Sequence, residues 1–258
     1  MRIAVTITAI LTSNVGVNVQ FFSLGITTFW NEFVRQFEAT FITGDRYKLF
    51  FDGLGVTLKI SFFAALFGFL IGTLLAFMKM SKTKKGKKTI FSRIASAYID
   101  VIRGTPAVIQ LLIMYNIILV AVQSKVLIAI IAFAINSGAY VAEIVRAGIM
   151  AVDVGQSEAG RALGLSKYQT LTYIIVPQAI KNVLPPLGNE FIVLLKETAI
   201  VGYVALMDLT KVSDFIISRT LQPYVPLLST AFIYFVVIKI MTILLNKFER
   251  RLRKGDSR

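Results

Sequence analysis

The sequence predicts an all-α, polytopic membrane protein, and three observations carry that prediction. The chain of 258 residues is 56% hydrophobic but only 16% charged, whereas a soluble domain holds about a quarter of its residues charged. The apolar residues are bunched, with Ile60–Met78, Val126–Tyr140 and Phe232–Ile238 free of charge. The basic residues gather at the ends of such stretches. Bilayer hydrocarbon, about 30 Å thick, asks for about 20 apolar residues per spanning helix.

The net charge of +14 follows the same logic. Residues 79–93 carry Lys79, Lys82, Lys84, Lys85, Lys87, Lys88 and Arg93 with no acid, and the tail from Lys247 carries six basic residues against Glu249 and Asp256. Clusters beside apolar spans mark the cytoplasmic side and favour anionic lipid head groups, which argues against nucleic acid as a partner. The chain has no Cys and no His. Disulfides, thiol nucleophiles, Cys/His metal sites and imidazole acid–base chemistry are thereby removed.

Five core spans are expected, over about 54–79, 92–122, 126–150, 177–207 and 224–246. The second is interrupted by Arg103-Gly104-Thr105-Pro106, where Thr105 and Pro106 suit a helix N-cap and first turn. The domain boundaries are an N-terminal extension (1–47), a membrane domain (48–247) with a polar loop at 151–176, and a basic tail (248–258). Loop charge places the loop after the first span, the polar loop and the C-terminus in the cytoplasm. Residues 3–31 lack charge but are laced with Thr, Ser, Asn and Gln. They suit an extra span, or an interfacial segment.

Small residues recur at every fourth position at Ala64, Gly68, Gly72 and Ala76 in the first span, and at Ala134, Gly138 and Ala142 in the third. That spacing lets helix backbones approach closely in lipid. Packing within the chain explains it most simply; a subunit interface is the functional alternative.

The polar stretch 155–177 predicts helix, turn, helix. Gly164 suits the left-handed residue that ends a helix begun near Gln156. Ser166 and Gln169 form a capping box for a second helix, and Pro177 suits the first turn of the next span. Glu158 is expected near the first helix's N-terminus, where the dipole favours an anion.

Here a resemblance is specific. Glu158-Ala159-Gly160, Gly164, Ile174, Val176 and Pro177 match in register the Glu-Ala-Ala motif of permease subunits of bacterial ABC importers, with Gly160 in place of the second Ala and Val176 in place of Leu. Tyr98–Pro106, Ala139–Arg146, Pro177-Gln178-Ala179, Leu184–Asn189 and Lys196-Glu197-Thr198 resemble the polar amino acid branch of that family, so the resemblance covers about residues 48–247. It implies the type I ABC importer permease fold and a coupling element of Glu158, Ala159, Gly160, Gly164, Leu165 and Ser166 that docks on a separate ATPase subunit. It also implies an extracytoplasmic solute-binding protein, pairing with a second copy or a similar permease, and residence in the bacterial cytoplasmic membrane. By itself, Gly160 would weaken its helix by up to about 1 kcal/mol relative to Ala.

The chain itself carries no phosphate loop. The nearest match, Gly155-x4-Gly160-Arg161-Ala162, lacks both the Lys and the hydroxyl that hold phosphates. No cofactor is therefore expected on this chain, ATP and Mg being handled by the partner ATPase.

For the pathway, the expectation is a kinked or broken fourth span at Pro185-Pro186, because broken helices often line transporter sites. Asn116, Asn136, Ser137, Asn189, Glu190 and Glu197 are polar groups at or near membrane depth, which read as functional candidates. Internal pairing, for example of Arg146 or Lys196 with a carboxylate, is the plainer account. An ion-gradient-driven transporter or channel is the main rival, though acids that could relay ions are few. An integral-membrane enzyme is weaker, lacking His, Cys and a dense carboxylate cluster.

Overall fold

The computed structural model describes residue 28, residues 30–83 and residues 86–253. The expected N-terminal span at 3–31 thus lies almost wholly outside the described residues. Among them the elements are helical, and the β pairing is the isolated bridge between Lys82 and Lys88. In chain order come α1 (Tyr47–Met80), α2 (Ile90–Arg103), α3 (Ala107–Ile113, extended by a π-turn at Met114–Ile118) and α4 (Lys125–Met150). Then follow α5 (Val154–Ala162), α6 (Lys167–Thr170) with a π-turn at Leu171–Ile175, α7 (Val176–Glu197) with a 3-10 turn at Thr198–Val204, α8 (Leu209–Thr220) and α9 (Tyr224–Arg253). Side-chain caps start several of them: Thr89, Ser124, Asp153, Ser166 and Asp208 each accept from a backbone N–H one turn ahead.

The α1–α4 pair forms the centre. A Cβ added at Gly68 would lie 3.0 Å from Ser137 Cβ, and one at Gly72 only 2.7 Å from the Gly138 carbonyl. The two small-residue stripes therefore face each other inside one chain, and the simpler of the two readings holds. Ile60, Ala64, Ala129 and Phe133 continue that seam and are buried with Leu111, Leu194 and Val201.

Among the described residues, three helices are long and apolar enough to cross a membrane: Tyr47–Met80, Lys125–Met150 and Tyr224–Leu252. The pair Ile90–Arg103 and Ala107–Ile118 passes the same test together, but bends by 104° at the break. Helix α7 is long enough at 22 residues, about 33 Å at 1.5 Å per residue. It is too polar to pass on composition, carrying Lys181, Asn182, Asn189, Glu190, Lys196 and Glu197.

Of the two interruptions the sequence suggested, the one at Gly104–Pro106 is present and a break at Pro185-Pro186 is not. α7 runs unbroken through Pro185 and Pro186, while the chain turns sharply at Gly104–Pro106. Proline removes the hydrogen bond to the carbonyl four residues back, here those of Lys181 and Asn182. Both residues line the same open groove as the prolines, where those carbonyls need no helix partner. At the true break, Gln110 Nε2 donates to Ile102 O at 2.7 Å and to Thr105 Oγ1 at 2.7 Å. Thr105 does not cap α3. Its hydroxyl donates back to Val101 O at 3.0 Å, and Pro106 occupies the N-cap position.

Candidate coupling knob and pathway

Helices α5 and α6 form a two-helix knob. Gly164 has φ +84°, and the turn is closed by Gly164 N–H to Arg161 O (3.0 Å) and Leu165 N–H to Gly160 O (3.1 Å), the paired bonds of a Schellman motif. Ser166 then starts α6 with the expected reciprocal box: Gln169 N–H to Ser166 Oγ at 3.2 Å and Ser166 N–H to Gln169 Oε1 at 2.9 Å. Glu158 lies in the second turn of α5. The N-cap role belongs to Asp153, which accepts from Gly155 N–H at 2.6 Å, so Glu158 is outside the short reach of the helix dipole.

Gly160 is the residue whose role the sequence reading misjudged. It is buried, and an added Cβ would lie 2.8 Å from both Ile174 Cδ1 and Thr170 Cγ2. Its missing methyl lets α5 lie directly on the second helix. What looked like a loosened helix is a close helix crossing. Glu158, Ala159, Gly164 and Ser166 are exposed, Leu165 is half-buried, and Leu163 (81%) and Tyr168 (76%) present large apolar surfaces beside them. From Lys167 the backbone stays helical through the π-turn into α7, and Gln178 Nε2 ties α7 back to Gln156 Oε1 at 3.2 Å.

Among the pathway candidates, Ser137 and Glu190 come together. Ser137 Oγ, fully buried, donates to Glu190 Oε1 at 3.0 Å, and both line a cavity of about 520 Å³ walled by Phe62, Phe69, Phe191 and Phe248. Asn189, one residue away, faces a different and larger groove of about 1190 Å³ with Asn182, Pro185, Pro186 and Asn246. Successive helix residues point about 100° apart, so the two were never one site. Asn136 is buried and donates to Gln110 Oε1 at 3.0 Å; its own Oδ1 has no partner. Asn116 is exposed, donates to Leu112 O at 2.9 Å and lines a small cavity with Gln123 and Lys125. Glu197, half-buried at the end of α7, lines none of these three.

Internal pairing does account for Arg146. Its Nη2 lies 2.8 Å from Glu143 Oε2, and the other carboxylate oxygen of Glu143 takes Lys79 Nζ at the end of α1. Gln110 and the Lys79 arm of this triad escaped the sequence reading. Gln110 carried a usable signal, being an amide set four residues past the Pro that breaks an apolar segment. The Lys79 contact carried none, since Lys79 and Glu143 are 64 positions apart.

Residues 68–254 match the family described as "Binding-protein-dependent transport system inner membrane component". A putative glutamine transport system permease protein of Rickettsia conorii is 39% identical over 210 residues, 80% of this chain and 94% of that protein. The arginine transport system permease protein of Bacillus subtilis is 38% identical over 208 residues, 80% of this chain and 93% of its own length. A chain in the crystal structure of an amino acid ABC transporter with histidines superposes with TM-score 0.74 at 48% identity, covering 82% of this chain and 98% of that one. The inward-facing methionine transporter MetNI gives TM-score 0.69 at 19% identity over 79% of this chain and 96% of its own, a likeness of fold alone.

Proposed function

The chain belongs to the family of inner membrane components of binding-protein-dependent transport systems, and from that premise we propose how its parts divide the work. It is the permease component of an amino acid ABC transporter, a helical multi-pass protein of the inner membrane. A separate ATPase subunit supplies ATP hydrolysis and docks on the α5–α6 knob through Glu158, Ala159, Gly164, Leu165 and Ser166, with Gly160 setting the helix crossing behind them. The C-terminal basic tail lies on the same cytoplasmic side.

One observation supports this most. The exposed knob is stiff at its turn and continues as helix from Lys167 to Glu197, so displacement of α6 is delivered to α7 without a flexible link. Ser137, Asn189 and Glu190 sit on or against that moving helix and are proposed to line the path, with Asn116, Asn136 and Glu197 flanking it. Two such permeases, identical or similar, enclose the passage between them, and an extracytoplasmic solute-binding protein loads it. The work done is alternating access, with no bond made or broken on this chain.

The test is uptake of labelled arginine, glutamine and histidine by proteoliposomes carrying the complete transporter. Uptake is expected to need ATP and the binding protein and to survive an ionophore that collapses ion gradients. Uptake driven by the gradient without ATP would overturn the reading in favour of a secondary transporter.

A further inference from the structure

Helix α4 is 26 residues long, about 39 Å at 1.5 Å per residue. Its last turn leads into the knob, so Lys125, its first residue, stands at the opposite end. A cavity of about 310 Å³ opens there, and Tyr115, Asn116, Val120, Gln123 and Lys125 are among its lining residues. No acid lines it.

Lys125 is held in place without being neutralised. Its Nζ donates to Ala205 O at 3.4 Å and stands 5.9 Å from the centre of the Tyr115 ring, a cation–π distance. Among the described residues Lys125 makes no ion pair. An ammonium has three donors, and one of them is turned to Ala205 O. The start of α4 adds to the charge: Ser124 is the N-cap, accepting from Leu127 N–H at 3.3 Å, and the first turn of a helix favours an anion. Two amides supply neutral donors. Asn116 gives one N–H to Leu112 O at 2.9 Å and keeps its second, and Gln123 is exposed beside it.

One cation, two amides and a helix start, with no acid, make an anion site. Its volume lies at the low end of the roughly 300–1,000 Å³ of ligand pockets, which suits one small solute and not a peptide or a nucleotide. Resting on the amino acid transport proposed above, we infer that this cavity is an entry site for the carboxylate of the arriving amino acid, separate from the cavity and the groove along α7. The Lys125 ammonium takes one carboxylate oxygen and the Asn116 and Gln123 amides the other. The site reads a group that all amino acids share, and it repels a cationic amine that lacks it.

The chain has no cysteine, so Val120→Cys, at an exposed (73%) residue of the cavity wall, gives a maleimide one site on this chain. Its labelling rate is measured in the detergent-solubilised permease–ATPase complex, without ATP. The carried amino acid is expected to slow labelling and its decarboxylated amine is not (arginine with agmatine, or histidine with histamine). With Lys125→Gln added, the amino acid concentration for half-protection should rise on the order of ten-fold, as losing a charge-assisted hydrogen bond does. Lys125→Arg, which keeps the charge, should leave it near the Val120→Cys value. Equal protection by the amine or by inorganic phosphate, or no protection, would overturn the entry site. Protection by the binding protein whether or not it carries amino acid would also overturn it, assigning the carboxylate to that protein's surface. A wild-type transporter that accumulates no amino acid would instead overturn the function on which the site rests.

Discussion

Ser137 and Glu190, 53 positions apart, are joined by a 3.0 Å hydrogen bond from Oγ to Oε1. The bond links the central helix α4 to α7, the helix that continues from the knob. It is placed to break or reform whenever α7 moves along α4.

That pairing separates stability from transport. Ser137→Ala should lower the melting stability of the purified complex only slightly, by about 1 kcal/mol or less, as interhelical hydrogen bonds in membranes typically contribute. Glu190→Gln keeps an acceptor for Ser137 and should leave the melt intact while changing the uptake rate. Normal uptake by Glu190→Gln would remove this pair from the path.

Gly160→Ala tests the knob against intrinsic propensity. Ala is a better helix former than Gly by about 1 kcal/mol, so propensity alone predicts a tighter knob. The 2.8 Å contacts with Ile174 and Thr170 predict the reverse, with weaker ATPase co-purification. Thr170→Ser, which deletes one of the clashing methyls, should restore recovery in the double variant.

At Gly164 the expected order is Gly, then Asn, then Val. The φ of +84° is strained for any side chain and worst for a β-branched one. Retained ATPase affinity in Gly164→Val, measured by co-purification, would show that the turn does not shape the docking surface.

Removing the shared carboxylate of Glu143 should cost more than removing either cation. Glu143→Gln leaves Lys79 and Arg146 facing each other half-buried, an expected loss of about 1–3 kcal/mol, below the range for fully buried pairs. Lys79→Met leaves the Arg146 pair intact and should cost less. Thermal melts of the three proteins decide the order.

Asp208 gives a pH dependence outside the spans. Burial pushes its carboxyl above the ordinary value of 3.8, against the hydrogen bonds from Lys211 and Thr210 that favour the charged form. A carboxyl raised by folding binds its proton more tightly in the folded chain. Its contribution to stability is therefore full below 3.8 and is lost as pH rises through the folded value. Asp208→Asn keeps a capping oxygen and should flatten this acid-side dependence in pH-resolved melts.

Local signals were legible because local chemistry fixes them. The Gly164 turn and the Ser166–Gln169 box need only residues within one turn of each other, and both stand where the sequence put them. The break in the fourth span failed because proline states a lost hydrogen bond, not its consequence. With Lys181 and Asn182 facing an open groove, the helix continues; with Gln110 ready to take Ile102 O and Thr105 Oγ1, the chain at Gly104 can turn.

The sequence by itself determined the class, the helical membrane spans, the cytosolic-looking knob and its turn, since burial of apolar runs and capping of helix ends act over short distances. The tertiary structure decided which stripe met which, where the polar groups gathered, and why Gly160 is not Ala. Those outcomes depend on helices distant in sequence sharing space, and close packing leaves room for one arrangement of side chains only after all of them are in place.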